Sequence, residues 1–153
     1  MNRRRRLLLL RNIAWAIVIL VLCAIPPGAT PVPRAALIPH ADKLVHLFLF
    51  LVMSFLLHGA LRAWTRVGAA RLIALVVLCC TAYGGAIELL QDHYLGRDGE
   101  WTDLLADATG AVAGSLARFA LARGKRRKRA TGNGGKRVYL PGDGDAPPPR
   151  HHK

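Results

Sequence analysis

The chain has 153 residues, of which 52% are hydrophobic, and its formal net charge is +13. In a soluble protein this charge would suggest nucleic-acid binding. Here the basic residues stand at the ends of long apolar blocks, which is the distribution found in membrane proteins. We therefore predict no nucleic-acid partner. The three cysteines lie inside apolar blocks without metal-ligand spacing, which argues against a disulfide framework or a zinc site.

Four apolar blocks follow one another along the chain, and each approaches the roughly 20 residues that a helix needs to cross a bilayer. The basic start of the first block also fits a secretory signal peptide, but we favour a retained helix. The predicted fold class is an all-α integral membrane protein, with a bundle of four transmembrane helices in residues 1–123. The predicted helices cover about 7–25, 44–61, 69–90 and 102–122.

The remainder, residues 124–153, is rich in Lys, Arg, Gly and Pro and has few apolar residues. Such a composition cannot bury enough apolar surface to fold, so we predict a disordered tail. Its basic block would suit anionic lipid headgroups. An equally acceptable interpretation is that the block only fixes the topology of the bundle.

The distribution of basic residues predicts the orientation. Nineteen of the 22 Lys and Arg residues lie before or at the start of the first helix, between the second and third helices, or from Arg118 onward. The other two connections hold only Arg34, Lys43 and Arg97. Because basic connections stay inside, both termini are predicted to be cytoplasmic. The predicted location is the bacterial cytoplasmic (inner) membrane, crossed several times.

Six of the nine acidic residues fall between positions 88 and 107. Helical rise places polar groups of three helices in one layer near the predicted outer face. Since ionisable groups in lipid are costly, we predict a functional polar cluster, with an internal ion-pair network that fixes helix register as the alternative. The predicted site residues are Asp42, Lys43, His46, Glu88, Gln91, Arg97, Asp103 and Asp107.

Small residues recur at four-residue spacing in the fourth helix, at Ala106, Gly110 and Gly114. Such a stripe lets another helix approach closely. Asp103 and Asp107 lie near the same stripe, so their carboxylates should face the bundle. His58, in the predicted inner half, is interpreted as a packed or snorkelling residue.

These motifs resemble the VanZ-like family of small membrane proteins. One signature is Asp42-Lys43-x-x-His46 at the start of a helix. The other combines Glu88-x-x-Gln91, then Arg97, then Asp103-x-x-x-Asp107 and a Gly-rich helix. Asp107 departs from the Asn expected in many members, which puts a neutral role for this position in doubt. The founding member is associated with low-level teicoplanin resistance, so the resemblance implies an effect on glycopeptide susceptibility but no reaction.

Two functional hypotheses follow. The first is binding of an anionic lipid or a lipid-linked cell-wall precursor, with cations contacting phosphate and carboxylates orienting them. The second is a small membrane enzyme acting on such a lipid, through acid–base or metal chemistry. The sequence shows no nucleophile motif, which places this hypothesis below the first, and the catalytic residues of such an enzyme are unknown. No cofactor and no metal ligand is predicted, although binding of a divalent metal is a possibility that the sequence leaves open. The sequence does not indicate the oligomeric state.

Overall fold

The structure is a computed structural model that describes residues 2–24, 41–94 and 101–132. This part of the chain contains four α-helices and no strand. All four helices are long and apolar enough to span a membrane, as predicted. They are α1 (Arg3–Ala24), α2 (Ala41–Trp64), α3 (Ala69–Tyr94) and α4 (Trp101–Gly132).

The last helix differs most from its predicted bounds. It was expected to end near residue 122, but it continues to Gly132 and so includes the first part of the predicted tail. Arg, Lys and Ala are good helix formers, and the single Gly124 does not outweigh them. With 32 residues, α4 is about 48 Å long, which exceeds a hydrocarbon core of roughly 30 Å. Residues 133–153 lie outside the described residues.

The helices run in two parallel pairs. Hydrogen bonds link Tyr83 to Ala16 and Gln91 to Cys23, so α1 and α3 run the same way. Side-chain pairs between α2 and α4 also advance together along both helices. We call the end where α2 and α4 begin and α3 finishes the site end of the bundle. The other is the opposite end.

The closest packing lies between α2 and α4, which share the most extensive interface in the bundle. A Cβ atom on Gly110 would meet the carbonyl oxygen of Leu47, and one on Gly114 would meet that of Leu51. Both glycines are therefore required where the backbones approach, as the small-residue stripe predicted.

An apolar core fills the space between α1, α2 and α3, around Phe50, Leu72 and Val76. Large apolar side chains also point outward, among them Ile17, Leu78 and Leu105. Exposed apolar faces on all sides are expected when the surrounding solvent is lipid. The bundle is therefore that of a multi-pass membrane protein.

Candidate functional site

Two polar side-chain pairs connect the first two turns of α2 with the first two turns of α4. Lys43 Nζ lies 3.2 Å from Asp103 Oδ1. One turn further in, His46 Nδ1 lies 3.0 Å from Asp107 Oδ1. Residues three or four apart share a helix face. Lys43 and His46 therefore lie on one face of α2, and Asp103 and Asp107 lie on the facing side of α4. Because α2 and α4 run parallel, the first residue of each face meets the first of the other, and the second meets the second.

The two pairs form one buried group. His46 Nε2 lies 4.0 Å from Asp103 Oδ2, which links the outer pair to the inner pair. His46, Asp103 and Asp107 are only 7%, 5% and 1% exposed. Asp42 is exposed and lies at the rim, with its Oδ2 3.7 Å from Lys43 Nζ. The carboxylates of α4 thus face the bundle, as the sequence predicted.

The third helix contributes Glu88, which is half-buried. His46, Glu88 and Asp107 each offer a ligand-type atom, and these atoms lie within 4.8 Å of one another. The approach of α3 depends on Gly84, because a Cβ atom there would meet Asp107 Oδ2. We refer to Lys43, His46, Glu88, Asp103 and Asp107 as the polar cluster.

Gln91 was predicted to belong with this group, but it makes a different contact. Its Nε2 donates a 2.9 Å hydrogen bond to the carbonyl oxygen of Cys23. That carbonyl belongs to the last turn of α1, where helices leave backbone oxygens without an intrahelical partner. Gln91 therefore holds the end of α1 against α3. Arg97, also predicted for the site, lies outside the described residues.

A groove of about 660 Å³ adjoins the polar cluster between α3 and α4. Its lining is mostly apolar and includes Gly85, Leu89 and Leu104. Leu89 and Trp101 are strongly exposed, so the groove faces the outside of the bundle. Glu88 lines the groove and also belongs to the polar cluster. The groove thus joins the cluster to the surface that faces lipid.

A second polar pair, at the opposite end, was missed by the sequence analysis. His58 Nδ1 lies 2.8 Å from Ser115 Oγ, and both side chains are buried. Nearby, the guanidinium of Arg118 lies 5.4 Å from the centroid of the Phe55 ring, a cation–π distance. His58 is packed, as predicted, but it has a partner. Helical periodicity places Ser115 about two turns beyond Asp107, but the contact with His58 follows only from the register of α2 and α4.

The cluster has more acidic than basic groups. Among the described residues at the site end, Asp42 and the three carboxylates of the cluster face only Lys43 and His46 as basic partners. Chemically, the arrangement can bind a cation, orient hydrogen-bond donors or hold a proton. The residues that can hold a metal are His46, Glu88 and Asp107.

Comparison with known proteins gives one result that bears on identity. The VanZ/LLP1 family model matches residues 2–122, which include α1, α2, α3, the polar cluster and the first two thirds of α4. No curated protein and no solved structure matches significantly. The match extends over most of the chain, and the chain therefore belongs to the VanZ/LLP1 family.

Proposed function

We propose that this protein binds a membrane lipid, with the anionic headgroup at the polar cluster and an acyl chain in the adjoining groove. The observation that carries the proposal is the position of Glu88, which belongs to both the cluster and the groove. A lipid has the same two-part character, with a polar head joined to an apolar chain. A purely structural network would need no such connection to the outside of the bundle.

Two further observations support a headgroup at this place. Lys43 has a side chain that is 25% exposed and lies above the buried residues of the cluster, so its ammonium can reach a phosphate at the rim. Trp101 stands at the edge of the groove and is strongly exposed. Tryptophan is enriched where membrane proteins meet the headgroup layer. The proposed position of the ligand is therefore the headgroup layer at the site end.

With the predicted orientation, this layer belongs to the outer leaflet of the bacterial cytoplasmic membrane. The proposed ligands are anionic phospholipids and lipid-linked cell-wall precursors. Sequestering a cell-wall precursor would change the amount that a glycopeptide such as teicoplanin can reach. An effect on teicoplanin susceptibility is thus part of the proposal for a precursor ligand.

The experiment is native mass spectrometry of the protein purified in mild detergent, with identification of the lipids that it retains. Wild type is compared with Glu88→Gln and Asp103→Asn, and Ser115→Ala serves as a buried control at the opposite end. We expect one lipid class to be retained by wild type and by the control, and lost from both site variants while they stay folded. Unselective lipid adducts, with site variants that only melt at a lower temperature, would show that the cluster is a structural network.

A further inference from the structure

We propose that His46, Glu88 and Asp107 bind a divalent transition-metal cation, and that this cation bridges the protein to the anionic headgroup. The bridging part rests on the proposed function, whereas the cation site itself does not. The three residues come from three different helices, α2, α3 and α4. A cation would therefore also hold the site end of the bundle together.

The distances suit a shared ion. His46 Nδ1 and Asp107 Oδ1 lie 3.0 Å apart. With metal–ligand bonds of about 2.0–2.2 Å, two ligands of one ion lie roughly 3–4.4 Å apart. All three ligand-type atoms lie within 4.8 Å of one another. The widest of these separations is thus at most about 0.4 Å beyond the upper end of that range.

Charge balance favours a cation over a bare anion. Lys43 is paired with Asp103 at 3.2 Å. His46 is then the basic side chain of the cluster that faces both Glu88 and Asp107. An anionic headgroup placed beside two carboxylates in a region of low dielectric would be repelled. A dication removes this repulsion and presents a positive charge to the headgroup.

Asp103 and Lys43 lie next to the proposed ligand His46. Asp103 Oδ2 lies 4.0 Å from His46 Nε2, and Asp103 is in turn held by Lys43. A carboxylate that accepts a hydrogen bond from a ligating imidazole fixes its orientation and raises its affinity for metal. Asp103 would have to approach His46 by about 1 Å to accept that bond. The absence of a side chain at Gly84 leaves room for Asp107 Oδ2. Mutating Asp103 should therefore weaken metal binding without removing a ligand.

The donor set indicates the class of metal. Calcium and magnesium prefer ligands that are all oxygen. One imidazole with two carboxylates suits manganese or zinc better. The groove reaches the site through Glu88, and we expect a phosphate oxygen to approach the ion by this route.

The test uses the full chain in detergent after removal of metal and lipid. His151 and His152 in the tail are replaced by Gln to suppress adventitious binding. Mn²⁺ binding is followed by electron paramagnetic resonance, and Zn²⁺ binding by competition, with Mg²⁺ and Ca²⁺ for comparison. We expect one Mn²⁺ per chain, weakened at least roughly tenfold in Glu88→Gln.

Two further variants guard against misinterpretation. His93→Gln alters an exposed histidine that lies 3.6 Å from Asp92 at the same end but outside the cluster, and it should bind as the unaltered protein does. Asp107→Asn should lose the ion, and its melting temperature, unlike that of the parent protein, should not rise when Mn²⁺ is added. Equal Mn²⁺ affinity in the parent protein and in Glu88→Gln would overturn the cation site.

Lipid retention with and without a chelator separates the inference from the proposed function. Loss of the lipid on chelation, with recovery on adding Mn²⁺, would support the bridge. Binding of Mn²⁺ without any selective lipid would leave the cation site standing and contradict the proposed function. Selective lipid retention in the chelator, with no Mn²⁺ bound, would overturn the inference and leave the proposed function intact.

Discussion

The interface between α2 and α4 carries a buried histidine at each end, and the two have different surroundings. At the site end, His46 meets Asp107 at 3.0 Å and lies near Asp103. At the opposite end, His58 meets the hydroxyl of Ser115 at 2.8 Å. Both histidines are buried and both bind a residue of α4. Burial and a hydrogen bond therefore do not by themselves distinguish a binding site from a structural contact.

The difference lies in charge and access. His46 is surrounded by carboxylates from two helices, and one of them, Glu88, lines a groove that faces lipid. His58 pairs with a neutral hydroxyl that is fully buried. A buried histidine and a buried hydroxyl that bond to each other satisfy their hydrogen-bonding groups inside the protein and need no ligand. A carboxylate that lines an open groove, as Glu88 does, is accessible to a ligand from outside the bundle.

The largest expected effect comes from Gly114→Ala, which disturbs the interface that both histidines share. The added Cβ would meet the carbonyl oxygen of Leu51 and the hydroxyl of Ser54. Since backbone cannot move aside, we expect a loss of about 1–3 kcal/mol or more, measured by denaturant unfolding in micelles. Gly124→Ala is the matched control, because nothing lies within 4 Å of a Cβ atom there. Equal stability of the two variants would contradict the close approach of α2 and α4.

The next effect separates the two ends. His46→Gln removes a residue of the polar cluster, so lipid retention should fall by at least roughly tenfold, as expected for loss of a metal or headgroup contact. His58→Gln should retain the lipid as wild type does. Native mass spectrometry of both variants makes the comparison. Loss of the lipid from both, at equal stability, would mean that the two ends act as one site.

A smaller effect is expected for stability at the opposite end. Ser115→Ala removes the partner of His58, and interhelical hydrogen bonds in membrane proteins contribute about 0.6–1.7 kcal/mol. We expect a decrease in the free energy of unfolding within this range, with unchanged Mn²⁺ affinity. A Ser115→Ala/His58→Gln double variant provides the control, because its two changes should be non-additive if the residues contact each other. Additive changes would argue against the pair.

The smallest expected effect concerns Gln91. Gln91→Leu removes the hydrogen bond to the carbonyl oxygen of Cys23, and we expect a loss of about 0.6 kcal/mol. The change should be local, since only the last turn of α1 loses a contact. Hydrogen exchange by mass spectrometry should show faster exchange near Cys23, while lipid retention stays unchanged. If Gln91→Leu abolished lipid binding, Gln91 would belong to the site after all.

The sequence predicted the four helices and the layer of polar residues well, because apolar length and helical rise determine depth in a membrane. It also predicted the close packing of α4 through Gly110 and Gly114, since spacing defines a helix face. It did not predict which helix packs on that face. The depth of a residue in the membrane does not determine how the helices are arranged around the bundle axis.

That missing information explains the two differences at the site. Gln91 lies about one turn from Glu88 on the same helix, yet its side chain meets α1. Ser115 appeared unremarkable until the register of α2 and α4 placed it beside His58. Both contacts depend on the rotation of a helix about its own axis. A single sequence defines this rotation only where charged or very small residues leave one acceptable face.

α2 packs more extensively against α4 than against its neighbours in the chain, and this has a consequence for biosynthesis. α2 carries Lys43, His46 and His58, whose α4 partners are made later. At about 5–20 residues per second, the stretch from Trp64 to Asp107 takes roughly 2–9 s to synthesise. During this interval the polar face of α2 has no α4 to cover it. The order of the helices therefore means that the contacts between α2 and α4 are among the last of the bundle to form, after all four helices have been synthesised.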